Sequence, residues 1–165
     1  MLTKLLATDK GYGMLWVRIP LGLFMVHHGY EKVINPTGFI GFCDNLGIPP
    51  ALAILSLSAE FFGGLGVLLG ALTRIAAFGV GMTMFVAAMV RHVLPGYGVM
   101  MNYHATLRYG TEGYEIHTLA VGMSLGLVFL GAGSLSIDQL LLRLLARQPR
   151  SEQSIRLQGS PARIA

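Results

Sequence analysis

The sequence predicts an all-α fold: an integral membrane four-helix bundle followed by a short amphipathic helix on the inner leaflet. Three observations carry this. Four apolar segments, about Tyr12–Val33, Ala51–Ala71, Ile75–Leu94 and Ile116–Leu135, each approach the roughly twenty residues an α-helix needs to cross ~30 Å of hydrocarbon. Only 12% of the 165 residues are charged, about half the ~25% of a soluble domain, and the mean hydropathy is +0.61. The second segment holds one charge, Glu60, near its middle, and a carboxylate at that depth must face protein, water or a partner.

The first span follows MLTKLLATDKGYG, which has no small-residue cleavage pattern, so the span is expected to stay in the mature protein. Helical spacing puts Arg18, Gly22, Met25, Gly29 and Lys32 on one stripe, with His28 at its border and His27 and Glu31 on the other side. Arg18 lies about one and a half turns inside the span, so it either snorkels to the interface or turns inward toward Glu60. Asn35–Pro50, with Pro36, Gly38, Gly41, Gly47 and Pro49-Pro50, reads as a connecting loop. On the second span one face holds Ser56, Glu60, Gly63, Gly64 and Val67; its small residues read as helix packing. The Gly70–Arg74 turn forces an antiparallel hairpin with the third span. A longer loop, Pro95–Tyr114, leads to the fourth.

Ser136-Ile-Asp138-Gln139 matches a capping box. It opens a helix whose Leu140, Leu141, Leu144 and Leu145 oppose Arg143, Arg147 and Arg150 until Pro149 ends it. The domain reading is a bundle over 1–135, an interfacial helix over 136–149 and a disordered tail over 150–165.

Charge placement gives orientation. One side collects Lys4, Lys10, Arg74, Arg143, Arg147, Arg150, Arg156 and Arg163; the other has Lys32, Arg91 and Arg108. The basic excess marks the cytoplasmic side, so both termini are expected there. The net charge of +4 gathers at span ends and in the tail, which suits a membrane surface and argues against nucleic acid. A single cysteine, Cys43, excludes an internal disulfide and a CxxC pair. Any redox role must then use a bound cofactor or a partner.

His27, His28, His92, His104 and His117 fall at the outer span ends or in outer loops, with Glu31, Lys32, Arg91, Glu112 and Glu115. A compact bundle would gather these groups over an outer mouth, with Glu60 below. Imidazole N–H groups bind carbonyl oxygens and carboxylates exchange protons, so the set suits proton exchange or a quinone headgroup. The candidate catalytic residues are Glu60, His28 and His117; the candidate ligand-binding residues are Arg18, Lys32, His92 and Glu115. An interfacial cluster with no chemistry is the competing reading. No metal site is assigned: helical His spacing for a metal is lacking, and bis-histidine haem ligation by His28 with His117, or His27 with His92, ranks below both readings.

The run from Glu60 through Gly63, Gly64, Gly70 and Thr73 to Arg74 resembles the second-helix signature of the DoxX family. Arg18 with His28-Gly29-x-x-Lys32, and Gly131-Ala132-Gly133 through Ser136 and Asp138, are similar to other parts of it, so the resemblance covers about 14–140. Ala132 stands where the family often has proline. The resemblance implies a four-helix protein of the bacterial or archaeal plasma membrane, associated with quinone-linked sulfur-compound oxidation as an oxidoreductase subunit. It brings no agreed catalytic residues. Lipid, a protein partner or second copy, and a quinone are the implied partners. The alternative is a non-catalytic scaffold that recruits a redox or detoxification partner.

Overall fold

The computed structural model describes residues 6, 11–93 and 114–146. The regular elements among them are helices: α1 (Gly13–Ile34), α2 (Pro36–Asn45), α3 (Pro50–Leu69), α4 (Thr73–Ala88), α5 (Tyr114–Leu130) and α6 (Ile137–Ala146). A π-helical turn, Met89–Val93, continues α4. The four long helices pack in chain order, α1 on α3, α3 on α4 and α4 on α5, and α5 closes back on α1.

The α1–α3 contact is made by glycine. A Cβ on Gly22 would lie 2.7 Å from the Cβ of Leu68, and one on Gly29 would lie 2.6 Å from the backbone nitrogen of Phe61. Gly64 returns the contact against Met25, at 2.9 Å. Seven residues separate the two glycines of α1 and, running the opposite way, their two partners on α3, so the helices lie antiparallel in steady register. Missing side chains let the backbones approach closely, which is how helices associate where no hydrophobic effect separates lipid from protein. The small residues of the second span therefore do pack a helix.

Leu21, Met25, Val67, Ala77, Val80, Met84, Ala120 and Leu127 form the core. Outside it, every long helix exposes large apolar groups: Trp16 at 76%, Phe62 at 65%, Phe78 at 60% and Phe129 at 72%. A water-facing protein does not carry apolar surface on all sides. Pro50–Leu69 and Thr73–Arg91 are long and apolar enough to cross a membrane, and less than a third of each is buried, so neither is the core helix of a soluble domain. α1 matches the expected first segment to within a residue and carries Arg18, Glu31 and Lys32. The last long helix differs from the sequence expectation. α5 stops at Leu130 instead of near Leu135 because Gly131 and Gly133 take φ of +79° and +82° and turn the chain.

Asn35–Pro50 is another correction, since most of the expected loop is α2. The Asn35 side chain accepts a hydrogen bond from the Gly38 nitrogen at 3.0 Å, and Pro36 occupies the first turn, where no N–H is needed. Gly47, at φ +75°, ends the helix: Ile48 N–H donates to Cys43 and Gly47 N–H to Asp44, both at 2.9 Å. This pair of bonds is a Schellman motif. Gly70 closes α3 in the same way, through Ala71 to Gly66 at 2.9 Å and Gly70 to Val67 at 3.2 Å.

Charges stitch the Gly70 end of the bundle. Arg18 is 2% exposed. Its guanidinium donates to Val67 O at 3.0 Å, Leu68 O at 2.9 Å, and Ala132 O and Leu135 O at 2.7 Å. It thus satisfies carbonyls at the negative end of α3 and binds the turn after α5 to it. Arg74 donates to Val128 O, in the last turn of α5, at 2.6 Å. Asp138, buried at the start of α6, accepts from Leu72 N–H at 2.7 Å and Thr73 N–H at 2.9 Å, so it caps α4 from another helix. Ser136 Oγ accepts from Gln139 N–H at 3.1 Å, the serine half of the expected capping box. Residues 94–113 and 147–165, with the loop and tail expectations that rest on them, lie outside the described residues.

Two outcomes follow for stability. Gly29→Ala overpacks the α1–α3 seam and should cost about 1–3 kcal/mol, read as a lower unfolding midpoint in detergent. Asp138→Ala removes the cap on α4 and should cost about 1–2 kcal/mol in the same assay; an unchanged midpoint in either variant contradicts the assignment.

Candidate functional site

The glycine seam positions the site. Lys32 lies one turn beyond Gly29, and Glu60 precedes Phe61, the residue Gly29 packs on. Close backbones therefore bring the two side chains together, and Lys32 Nζ donates to Glu60 Oε2 in a direct ion pair. Glu60 is 2% exposed. Its other oxygen accepts from Ser56 Oγ, one turn earlier on α3, at 3.2 Å. The ammonium also sits 4.7 Å from the centre of the Phe39 ring, so Lys32 links the floor of the site to α2.

Above the pair opens a cavity of about 210 Å³. His28, Lys32, Ser56, Glu60 and His117 form its polar part; Phe39, Phe42 and Cys43 of α2 roof it, and Met84, Val86 and Val90 supply an apolar wall from α4. His28 is stacked on Phe24, ring centres 5.5 Å apart. His117 is buried on α5. One carboxylate, one ammonium and two imidazoles therefore converge from three helices on a pocket with aromatic walls. Such a site offers hydrogen-bond donors to a carbonyl oxygen and a carboxylate that can carry a proton.

Four candidates from the sequence, Glu60, Lys32, His28 and His117, line this cavity. Arg18 does not: it sits about two turns along α3 from Glu60, buried, with backbone carbonyls as its acceptors, so neither snorkelling nor pairing with Glu60 describes it. Glu115 is half-buried near the start of α5 and is not among the lining residues; its Oε2 has no hydrogen-bond partner among the described residues. The His92 side chain lies outside the described residues. His27 is on the exposed side, 3.9 Å from Glu31.

Sequence reading missed Phe39, Phe42 and Cys43 because it missed α2. The signal was present as Asn35-Pro36 at one end and Gly47 at the other, a start and a stop that flank a helix of ten residues. Burial pushes the Cys43 thiol above its ordinary range; nearby Lys32 opposes that shift and Glu60 adds to it. The folded state thus prefers the protonated thiol. That preference contributes stability below the unfolded thiol pKa and is lost as pH rises through the folded one.

Removing one member of the buried pair strands the other. Glu60→Leu alone should cost about 3–5 kcal/mol, and adding Lys32→Met should restore a large part of it; a double-mutant cycle on detergent unfolding measures this, and strict additivity refutes the coupling. Alkylation of Cys43 should be slow at neutral pH, with its pH midpoint above that of the same thiol in the denatured chain. A midpoint at or below the denatured value contradicts the burial.

Comparison with known proteins adds one finding. No curated protein and no solved structure matches the chain. The DoxX family model matches residues 13–93, which run from the start of α1 to the end of the π-helical turn. The match includes Glu60 and Lys32 and stops short of the Gly131–Asp138 turn that the resemblance over 14–140 took in. The chain thus carries a DoxX-family match over residues 13–93, and the apolar groups exposed on every long helix mark it as a membrane protein.

Proposed function

We propose that this chain is a membrane subunit of a quinone-linked redox system and that its cavity holds a quinone headgroup. In this reading all four long helices cross the plasma membrane of a bacterium or archaeon. The Gly70 turn, α6 and both termini face the cytoplasm, following the basic residues, and the cavity opens in the outer half. The observation that carries the reading is the Lys32–Glu60 pair at the floor of a cavity walled by two histidines and by aromatic rings.

The lining chemistry fits such a group. The apolar and aromatic walls of α2 and α4 suit a flat ring. Lys32 is the donor placed to meet a carbonyl oxygen, and His28 and His117 are the second and third groups of hydrogen-bonding capacity on the wall. A quinone, when bound, accepts two electrons and two protons. Glu60 is the carboxylate placed to pass a proton, since it lies at the cavity floor and accepts a hydrogen bond from Lys32. Electrons would come from a partner protein, because this chain has one cysteine and no CxxC pair. Sulfur-compound oxidation is the reaction class the family resemblance suggests for that partner.

A second reading has its own support. Lys32 and Glu60 satisfy each other, and Ser56 serves the second carboxylate oxygen, so the pair is also complete as a structural lock in a scaffold protein.

Mild detergent extraction followed by lipid analysis should find quinone retained by the wild type, and Glu60→Gln should lower its affinity about tenfold, or 1.4 kcal/mol, with the fold kept. Absence of retained quinone, together with no binding of added quinone, overturns the redox reading. An unchanged affinity in a destabilised Glu60→Gln protein favours the scaffold.

A further inference from the structure

The exposed residues of a cavity wall mark its opening, and here all of them but Arg91 are apolar. Glu60 and His117 are 2% exposed and lie deep. Phe42 at 50%, Leu46 at 46% and Val86 at 45% both line the cavity and face outward. Phe42 and Leu46 belong to the end of α2, and Val86 to α4. The mouth is therefore a gap between these two helices, rimmed by apolar groups. Arg91 is the exposed charged lining residue, and it sits beyond Val86 in the π-helical turn that continues α4.

We infer that the cavity takes a membrane-dissolved ligand with a polar head and an apolar tail, which enters sideways from the bilayer between α2 and α4. The inference rests on the ligand site proposed above and names its route and ligand class. A rim of half-exposed phenylalanine, leucine and valine is unfavourable against water and neutral against acyl chains. Once the head reaches Lys32, the tail rests between Phe42, Leu46 and Val86 and remains in lipid. Arg91 guards the water-side edge, where it can meet a polar head but not a tail. α2 is then a roof held in place from inside, by Lys32 under Phe39, with an open flank toward the membrane.

Cys43 is a built-in reporter of this route: it is the one cysteine of the chain and lines the cavity. In nanodiscs, its reaction with an uncharged lipid-soluble maleimide and with a charged membrane-impermeant thiol reagent is measured, each normalised to the SDS-denatured protein. The charged reagent should be excluded at least about tenfold more strongly. Equal protection from both, or a thiol that neither reaches, overturns sideways entry. In a second arm, a long-tailed quinone should bind the wild type about tenfold more tightly than its tail-less analogue after correction for partitioning. Leu46→Glu, at the rim and away from the ring walls, should remove most of that advantage. Equal binding of the two quinones refutes the entry route while leaving the proposed function standing. Binding of neither refutes the proposed function, and the thiol result still judges the route.

Discussion

Hydrocarbon offers no hydrogen bonds, so each charge and each helix end placed in it needs a partner inside the protein. This constraint explains where the charged residues of the bundle go. At the Gly70 end, Arg18 holds carbonyls of α3 and of the turn after α5, Arg74 holds one at the end of α5, and Asp138 caps α4. Positive side chains meet the negative ends of helices, and the carboxylate meets a positive end, as the helix dipole favours. Toward the other end, under α2, Lys32 and Glu60 meet each other. Groups that look costly in the sequence are thus the groups that tie one helix to the next.

The two ends use their charges differently. Around Arg18 the polar atoms are consumed by backbone, with no lining role in the cavity, and the arrangement is a clamp. Around Glu60 the ion pair stands at the bottom of an open space with imidazoles beside it. A clamp needs saturation; a site needs polar groups that a ligand can reach. That contrast, more than the presence of a buried carboxylate, separates structure from candidate chemistry. α2 completes the difference by roofing one end, where the other end has α6 and the glycine turn.

Glycine links the seam to the site. Gly22, Gly29 and Gly64 let α1 and α3 approach until their backbones touch, and only at that separation does Lys32 reach Glu60. A seam held apart by larger side chains would leave the carboxylate alone in an apolar setting, an arrangement that costs far more than the pair. Packing and electrostatics are therefore one arrangement here. The fold keeps its ion pair because it keeps its glycines.

Much of the bundle was legible from the chain. Long apolar runs, few charges and the tight Gly70–Arg74 turn announced helices in a membrane and an α3–α4 hairpin. The Arg18–Lys32 stripe and the Glu60 face were correct because helical periodicity is local. Partner choice was not legible. Arg18 and Lys32 share a stripe and a charge, and nothing in sequence says which one meets Glu60; that depends on the antiparallel register set by the glycine contacts. α2 was hidden because its ten residues mix glycine, proline and aromatics and carry weak periodicity. Asp138 read as part of its own helix start, while its carboxylate serves α4, sixty-five residues away. The amino-acid sequence by itself determined where the four long apolar segments lie, since these follow from spacing and composition. Only the tertiary structure decided which charges are neighbours and where the cavity opens, because those follow from distances between helices that no single segment contains.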